Sequence, residues 1–163
     1  FPNIAHWIRP TRLFNEGRLY AEAVLGVVNG QVQIVTDDIQ VIPGSQIYDF
    51  DGIISPGFLD LQVNGGGGVL FNEAPTKESI WDIAKAHKKF GTTGIFPTVI
   101  TDKLSVLRHA VDAVIEAVGQ NGVLGIQIEG PHISVERRGT QKAEFIKPFD
   151  EDIFQLVEKL RAA

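Results

Sequence analysis

The chain has 163 residues, 44% of them apolar and 21% charged, which is typical of a soluble globular segment and excludes a disordered or collagen-like chain. The net charge is −5 and Lys and Arg never cluster beyond a pair such as Arg137-Arg138, which argues against a nucleic-acid partner. No apolar run reaches the roughly 18 residues that cross a bilayer, and no leader pattern is visible. We therefore expect a cytoplasmic protein without membrane contact. Cys is absent, so a bound metal would need His, Asp or Glu.

Short β-rich runs separated by turn signals make up the chain as far as Asp51. Strands are predicted at residues 12–14, 23–28, 31–36 and 47–50. Asn29-Gly30 lies between two of these runs and predicts a tight hairpin, and Pro43-Gly44 predicts another turn. This part of the chain is expected to form a small antiparallel layer.

After Gly52 the pattern alternates strand and helix with a repeat of about 30 to 35 residues, the length of a βαβ unit. Strands are predicted at 58–63, 93–98 and 124–129, and Pro97 is expected to end the second of them. The first helix begins at Thr76 and ends at Gly91, with Ile80, Ile83, Ala84 and His87 on one face. The second helix begins at Thr101 or Asp102 and ends at Gly119. The third helix follows a polar loop at 133–148, and its apolar face carries Ile153, Leu156, Val157 and Leu160. This series predicts a parallel sheet, either doubly wound or closed into a barrel.

Two of these strands carry polar residues that need an explanation. In the first, alternation places Asp60, Gln62 and Asn64 on one face, which indicates either a barrel interior or an edge strand with one wet face. In the third, Glu129 ends the strand, where barrel enzymes hold catalytic or metal-binding groups. The alternative for Glu129 is a structural one: capping a loop or pairing with Arg137 or Arg138.

The other candidates are less specific. Gly65 to Gly68 allow either a phosphate-binding nest or a tight βα turn, and the turn is favoured because the Gly-x-Gly-x-x-Gly and P-loop spacings are missing. His87 is expected in the core and His109 in solvent, and His6 has no partner nearby in sequence. His132, three residues after Glu129, is a candidate ligand contact.

Several motifs follow one another in the order of a known family. They are the run from Ile54 to Gly65, Gln62-x-Asn64-Gly65 with the glycines and Val69-Leu70-Phe71-Asn72, then Phe96-Pro97-Thr98, Ile128-Glu129-Gly130-Pro131 and Arg138-Gly139-Thr140. Over nearly the whole chain these motifs resemble the N-acetylglucosamine-6-phosphate deacetylase family of the amidohydrolase superfamily.

The resemblance implies an α/β fold: a (β/α)8 barrel of TIM type with a small β domain built from both ends of the polypeptide. Residues 1–52 would supply strands of a small β-sandwich domain, and residues 53–163 the first three βα units. A complete barrel takes roughly 250 residues, so we expect the 163-residue segment alone to be inactive.

The resemblance also implies an activity, the hydrolysis of N-acetyl-D-glucosamine 6-phosphate to D-glucosamine 6-phosphate and acetate. Glu129 would bind one divalent metal, zinc by this resemblance, together with two later histidines, and a later Asp would act as general base and acid. Zinc held by three protein ligands keeps a position for water, whose pKa it lowers. The family is also homo-oligomeric, a dimer or tetramer.

Two departures from related enzymes modify this expectation. Gln62 and Asn64 replace the His-x-His of most of the superfamily, and since amides are poor metal ligands, they are expected to surround a single metal rather than bind a second. Gln141 stands where relatives have a His that contacts the sugar phosphate, so Thr140 and Gln141 are expected to contact substrate through neutral hydrogen bonds. The alternatives are an amidohydrolase acting on a cyclic amide or an N-acyl amino acid, and a non-catalytic sugar-phosphate binding protein on the same scaffold.

Overall fold

A computed structural model of the chain describes residues 6–38 and 46–162. The chain has an α/β fold, and its internal contacts divide it into two compact units, Phe1–Pro56 and Gly57–Ala163. The turn predicted at Pro43-Gly44 lies outside the described residues. Within those residues, no helix has the length and apolar character needed to cross a membrane.

The first unit is a mixed five-stranded sheet. Its strands are β1 His6–Asn15, β2 Arg18–Tyr20, β3 Val24–Val28, β4 Gln31–Thr36 and β5 Ile47–Ile54, in the order β2-β1-β3-β4 with β5 beside β1. The expected antiparallel layer is therefore wrong in one respect, because β5 runs parallel to β1, from the pair Trp7 and Ile47 to the pair Leu13 and Ile54.

Tight turns join the antiparallel strands of this unit. The hairpin predicted at Asn29-Gly30 is confirmed: both residues have positive φ, 51° and 75°, and Val28 pairs with Gln31. A second hairpin, at Glu16-Gly17, was missed although Gly17 between two apolar runs signals it. Apolar side chains buried in this unit include Trp7, Leu13 and Leu25.

The second unit is built from parallel strands joined by helices. Its elements are β6 Phe58–Val63, β7 Gly65–Gly66, β8 Val69–Leu70, α1 Lys77–Lys88, β9 Thr92–Ile100, α2 Leu104–Ala117, β10 Gln127–Glu129, a 3₁₀ turn at Ala143–Phe145 and α3 Glu151–Ala162. The predicted parallel sheet is confirmed as a three-stranded sheet in the order β10-β9-β6. Its main core includes Ile80 and Ile83 of α1, Val99 of β9, and Leu107 and Val111 of α2.

The helices follow the predicted apolar faces but not every predicted end. Thr76 caps α1 as expected, since its hydroxyl accepts a hydrogen bond from Ser79 N–H at 3.2 Å. The cap predicted for α2 is wrong: Lys103 occupies the N-cap position without a side-chain hydrogen bond. Thr101 is instead used in contacts with Glu129 and Gln141. In α3, Ile153 and Leu156 are buried, whereas Val157 is exposed.

Two strand boundaries also differ from the prediction. Pro97 does not end β9, which continues to Ile100; Pro97 pairs with Val63 where the register of β6 shifts, and Val63 N–H donates to Thr98 Oγ1 at 2.9 Å. The strand predicted from residue 124 begins only at Gln127. Gly125 precedes it, and a glycine weakens a strand because it has no side chain to pack.

Candidate active site

A cleft of about 680 Å³ opens at the carboxyl ends of β6, β9 and β10. Its polar lining includes Gln62, Asn64, Asn72, Asp102, Glu129, Thr140 and Gln141. The structure therefore brings together, at one edge of the sheet, the five residues to which the family resemblance gives a site role, Gln62, Asn64, Glu129, Thr140 and Gln141. In barrel enzymes the catalytic groups occupy this edge of the parallel strands.

Gln62 and Glu129 form the central contact of the cleft. Gln62 Nε2 donates to Glu129 Oε1 at 2.8 Å, and a hydrogen bond to a carboxylate is stronger than one between neutral groups. Pairing with Arg137 or Arg138, one of the two structural alternatives for Glu129, is not found among the hydrogen bonds and ion pairs of the described residues. Arg138 donates instead to the backbone oxygen of Gln141 at 3.0 Å.

The polar face predicted for β6 is only partly correct. Asp60 points to a different neighbour from Gln62, since Asp60 Oδ2 lies 4.0 Å from His87 Nδ1 on α1. The alternation fails because the register with β9 shifts between Asp60 and Val63. Val63 is only 2% exposed and lies in the main core with residues of α1 and α2, whereas Leu59 and Leu61 are 62% and 61% exposed.

The four glycines form the close-packed turn that the sequence favoured. Strands β7 and β8 pair as a hairpin around Gly67 and Gly68. A Cβ on Gly65 would lie 2.3 Å from Val69 O, and one on Gly66 would lie 3.0 Å from the His87 ring. His87 is not in the fully buried core as expected: it is partly exposed, and its Nε2 lies 3.0 Å from Gly65 O.

Asn72, directly after this hairpin, has a positioning role that sequence reasoning missed. Its Oδ1 accepts from Ile100 N–H at 2.9 Å and its Nδ2 donates to Ile100 O at 3.1 Å. The side chain thus satisfies both backbone groups of the last residue of β9. Asn72 belongs to the quoted motif Val69-Leu70-Phe71-Asn72, but the motif does not indicate its partner.

Asp102 and Lys142 provide an ion pair at the cleft, with Lys142 Nζ 3.5 Å from Asp102 Oδ2. The Asp102 side chain is only 14% exposed. Burial raises the pKa of Asp102, but hydrogen bonds from Lys103 N–H and Asn72, together with the charge of Lys142, outweigh it and hold the pKa below its ordinary value. Asp102 is therefore a carboxylate at neutral pH.

The loop that lines the other side of the cleft carries Thr140 and Gln141. Gln141 Oε1 accepts from Thr101 N–H at 3.1 Å and also contacts the Thr101 hydroxyl. Thr140 is exposed. His132 does not line the cleft: its Nδ1 lies 2.9 Å from Lys147 O and its ring packs against Phe149.

The side chains of the cleft could supply only some of the ligands that a metal ion needs. Across residues 6–38 and 46–162, no three His, Cys, Asp or Glu side chains are grouped so that they could hold a metal ion. Glu129 supplies a carboxylate of a type that zinc binds, but its hydrogen-bonded neighbour Gln62 is an amide. The described residues therefore hold no complete metal site, and the role of Glu129 as a metal ligand stays a prediction.

Comparison with known proteins identifies the relatives of this fold and cleft. The chain is 51% identical over 90 residues to an N-acetylgalactosamine-6-phosphate deacetylase of Shewanella sp. (strain ANA-3), and 33% identical over 125 residues to an N-acetylglucosamine-6-phosphate deacetylase of Haemophilus influenzae. Its homologues are amino-sugar 6-phosphate deacetylases. The resemblance found in the sequence motifs is confirmed. No protein-family model matches the chain.

Solved structures agree with these relatives. The chain superposes on a crystal structure of N-acetylglucosamine-6-phosphate deacetylase from Pasteurella multocida with a TM-score of 0.85 and 26% identity, over 96% of this chain and 42% of that one. A Mycobacterium smegmatis deacetylase, 21% identical, has the same fold with a TM-score of 0.84, over 96% of this chain and 44% of that one.

The chain spans only part of each relative. The Shewanella alignment covers 54% of this chain and 23% of that protein, and the Haemophilus alignment 74% and 33%. The match is to the amino-terminal part of these enzymes.

Proposed function

We propose that this chain is the amino-terminal part of a metal-dependent amidohydrolase that removes the acetyl group from an N-acetyl amino-sugar 6-phosphate. The products would be the amino-sugar 6-phosphate and acetate, in amino-sugar catabolism. The observation that carries the proposal is the Gln62 to Glu129 hydrogen bond in a cleft at the carboxyl ends of parallel strands. The names of the homologues support the same reaction.

The proposed architecture is a (β/α)8 barrel of which residues 53–163 form the first three βα units. Residues 1–52 would belong to a small β-sandwich domain. Support comes from the parallel order β10-β9-β6 with α1 and α2 as the intervening helices. Three strands do not close an eight-stranded barrel, so the segment alone is proposed to be inactive.

Glu129 is proposed to bind a single divalent metal, zinc, with two histidines from the rest of the polypeptide. When bound, zinc supplies a Lewis acid for the amide carbonyl and a water of lowered pKa. Gln62 holds one Glu129 oxygen by a hydrogen bond, which fixes the carboxylate orientation. Asn64, in the same cleft, is proposed to surround the metal without binding it, because an amide is a weaker ligand than imidazole.

The substrate is proposed to lie against Thr140 and Gln141, with its anionic group attracted by cations at the cleft. Arg137, Arg138 and Lys142 line the same cleft, and Lys142 is already paired with Asp102. The same lining carries the carboxylates of Glu73, Asp102 and Glu129, so the proposed attraction is local and comes from the exposed Arg137 and Arg138 next to Thr140.

A second candidate substrate is N-acetylgalactosamine 6-phosphate. The observation that favours it is the 51% identity to the Shewanella relative of that name, compared with 33% for the Haemophilus N-acetylglucosamine-6-phosphate deacetylase. The two sugars differ only in the configuration at C4. The acetamide and the phosphate are common to both, so the chemistry proposed for Glu129 is the same.

The location and assembly belong to the same proposal. A sugar phosphate is charged and does not partition into a bilayer, so the enzyme must share a compartment with its substrate, and the compartment proposed is the cytoplasm. A homo-oligomer, dimer or tetramer, is proposed for the full-length protein. Its mass in solution, measured by light scattering, tests this directly.

A substrate panel tests the proposed reaction. The full-length protein, loaded with zinc, is incubated with each of the two N-acetylhexosamine 6-phosphates, with unphosphorylated N-acetylglucosamine and with an N-acyl amino acid, and acetate or the free acid is measured. We expect turnover of at least one phosphorylated sugar and much slower turnover of the others. Faster hydrolysis of the N-acyl amino acid, or binding of the sugar phosphates without acetate release, would overturn the proposal.

A further inference from the structure

We propose that Thr101 and Gln141 form a positioning pair, which fixes the turn carrying Thr140 at the cleft and links it to the backbone of Glu129. The inference rests on the proposed function where it concerns substrate, but its structural part is testable without activity. It assigns Gln141 a positioning role in addition to the substrate contact expected for its side chain.

The pair is built around one amide oxygen. Gln141 Oε1 accepts the Thr101 backbone N–H at 3.1 Å and also contacts the Thr101 hydroxyl. Thr101 is 1% exposed, and its β-branched side chain has few rotamers. A buried, rotationally restricted partner therefore fixes the orientation of the Gln141 amide.

The same hydroxyl reaches the strand that carries the proposed metal ligand. Thr101 Oγ1 lies 3.2 Å from the backbone oxygen of Glu129. Since the hydroxyl has one proton, it is shared between Gln141 Oε1 and Glu129 O. Thr101 thus connects the cleft loop to the end of β10.

The backbone after Glu129 is shaped to admit this contact. Gly130 has φ +91°, and a Cβ placed there would lie 2.0 Å from Thr101 Oγ1 and 3.1 Å from Gln141 Oε1. The space that a side chain would occupy at residue 130 is filled by the two polar groups of the pair. Only glycine satisfies both the positive φ and the close approach.

Further contacts make the turn rigid around Gln141. Gln141 N–H donates to Arg138 O at 3.1 Å, and the Arg138 guanidinium donates to Gln141 O at 3.0 Å. The next residue, Lys142, pairs with Asp102, the residue after Thr101. Two consecutive loop residues are therefore anchored to two consecutive residues at the end of β9.

The pair determines what the Gln141 amide and Thr140 can offer a substrate. Because its oxygen is taken by Thr101, the Gln141 amide can offer the substrate only N–H donors. Thr140 directly precedes Gln141 and is exposed. A loop fixed before substrate arrives loses less conformational entropy on binding, so loss of the pair is expected to raise KM more than it lowers kcat.

Limited trypsin digestion of the full-length protein tests the structural part. Trypsin cleaves after the exposed Arg137 and Arg138 when the loop opens. We expect Gln141→Ala and Thr101→Val to speed this cleavage by about tenfold, the effect of roughly one lost hydrogen bond. Gln141→Glu and Thr101→Ser, which keep the acceptor and the hydroxyl, are expected to cleave at nearly the wild-type rate.

Ser134→Ala is the matched control for these variants. It removes a side-chain hydrogen bond of the same loop, from Ser134 to Glu136, but Ser134 does not line the cleft. If Gln141→Ala is cleaved no faster than Ser134→Ala, or if the conservative variants are cleaved as fast as Gln141→Ala and Thr101→Val, the pair does not hold the loop. If Thr101→Val does not fold, the cleavage rates of Gln141→Ala and Gln141→Glu still decide whether the pair holds the loop.

Kinetics of the zinc-loaded protein test the functional part. We expect Gln141→Ala to raise KM for the sugar phosphate about tenfold with kcat changed less than about threefold, and the Thr101→Val/Gln141→Ala double variant to be no worse than the more affected single variant. A change in kcat alone, or strictly additive losses, would contradict a positioning pair. Absence of wild-type turnover would instead refute the proposed function and leave the digestion result to decide the structural claim.

Discussion

Gln62 Nε2 lies 2.8 Å from Glu129 Oε1, so that an amide at the end of β6 holds a carboxylate at the end of β10. The two residues are 67 positions apart in the chain, and they meet because β6 and β10 flank β9 in one parallel sheet. A metal carboxylate fixed by a neighbouring hydrogen bond binds more tightly than a free one. This contact is the basis of the predictions that concern the metal.

Gln62→Leu is expected to weaken zinc binding by about 10-fold to 100-fold, because Glu129 loses the donor that orients it. Zinc affinity of the full-length protein, measured by competition with a chromogenic chelator, checks this. Gln33→Leu is the control, since Gln33 is an exposed strand glutamine of the other unit. Unchanged zinc affinity in Gln62→Leu would show that the hydrogen bond does not position the ligand.

Asp102→Asn is expected to reduce stability at neutral pH and to make stability less sensitive to acid. The pKa of Asp102 is lowered in the folded protein, so the carboxylate stabilises the fold above its unfolded pKa of about 3.9, and this contribution is lost as pH falls through the lower folded value. Urea unfolding at neutral pH and at pH about 3 measures the difference.

A variant of Lys142 tests the same cause of the lowered Asp102 pKa. Its charge contributes to the lowered pKa of Asp102, so Lys142→Gln should also reduce the acid sensitivity, and adding it to Asp102→Asn should change little. A stability gap between wild type and Asp102→Asn that grows on acidification would contradict the sign of the effect.

Gly130→Ala is expected to destabilise the protein by about 2 to 4 kcal/mol, because a Cβ at φ +91° is strained and lies 2.0 Å from Thr101 Oγ1. Gly139→Ala is the matched control: Gly139 has φ +61° but no atom within 4 Å of its Cβ position, so it should cost about 1 kcal/mol. Urea denaturation of both variants separates strain from crowding. Equal losses would mean that Gly130 is not crowded.

Leu107→Ala is expected to lower the free energy of unfolding by about 2 to 5 kcal/mol, the range for a leucine replaced by alanine in a packed core. Leu107 is buried in the cluster that α1, β9 and α2 share. Val118→Ala, at the exposed end of α2, should change the free energy of unfolding by less than about 1 kcal/mol. Similar losses for the two variants would contradict the assigned core.

The sequence was sufficient for the elements whose pattern is local. Strand β6 begins and ends where alternation and the flanking residues predict, and α1 begins at its Thr76 cap. The Asn29-Gly30 hairpin was predictable because both residues accept positive φ. These features depend on neighbours within a few positions of each other.

The errors arise where a distant strand decides the local structure. Pro97 remains inside β9 because the register of β6 shifts opposite it, and the same shift separates Asp60 from Gln62. No periodicity in residues 58–64 reveals a shift that depends on β9. Alternation along one strand therefore placed Asp60 on the same face as Gln62, which is wrong.

The site was predictable as a set of residues but not as a set of contacts. Gln62, Asn64, Glu129, Thr140 and Gln141 all line one cleft, as the resemblance of their motifs to the family implies, while their roles in that cleft stay predictions. Their partners were not predictable: Asn72 meets Ile100 28 positions away, and Gln141 meets Thr101 40 positions away. Such pairings follow from the tertiary arrangement of the loops.

The proposed reaction and the proposed metal ligand are both tested by acetate release from the full-length, zinc-loaded protein, compared between wild type and Glu129→Gln. We expect stoichiometric acetate from an N-acetylhexosamine 6-phosphate with wild type, at least a hundredfold slower release with Glu129→Gln, and a parallel loss of bound zinc. No acetate from wild type with either sugar phosphate, or undiminished turnover in Glu129→Gln, would contradict it.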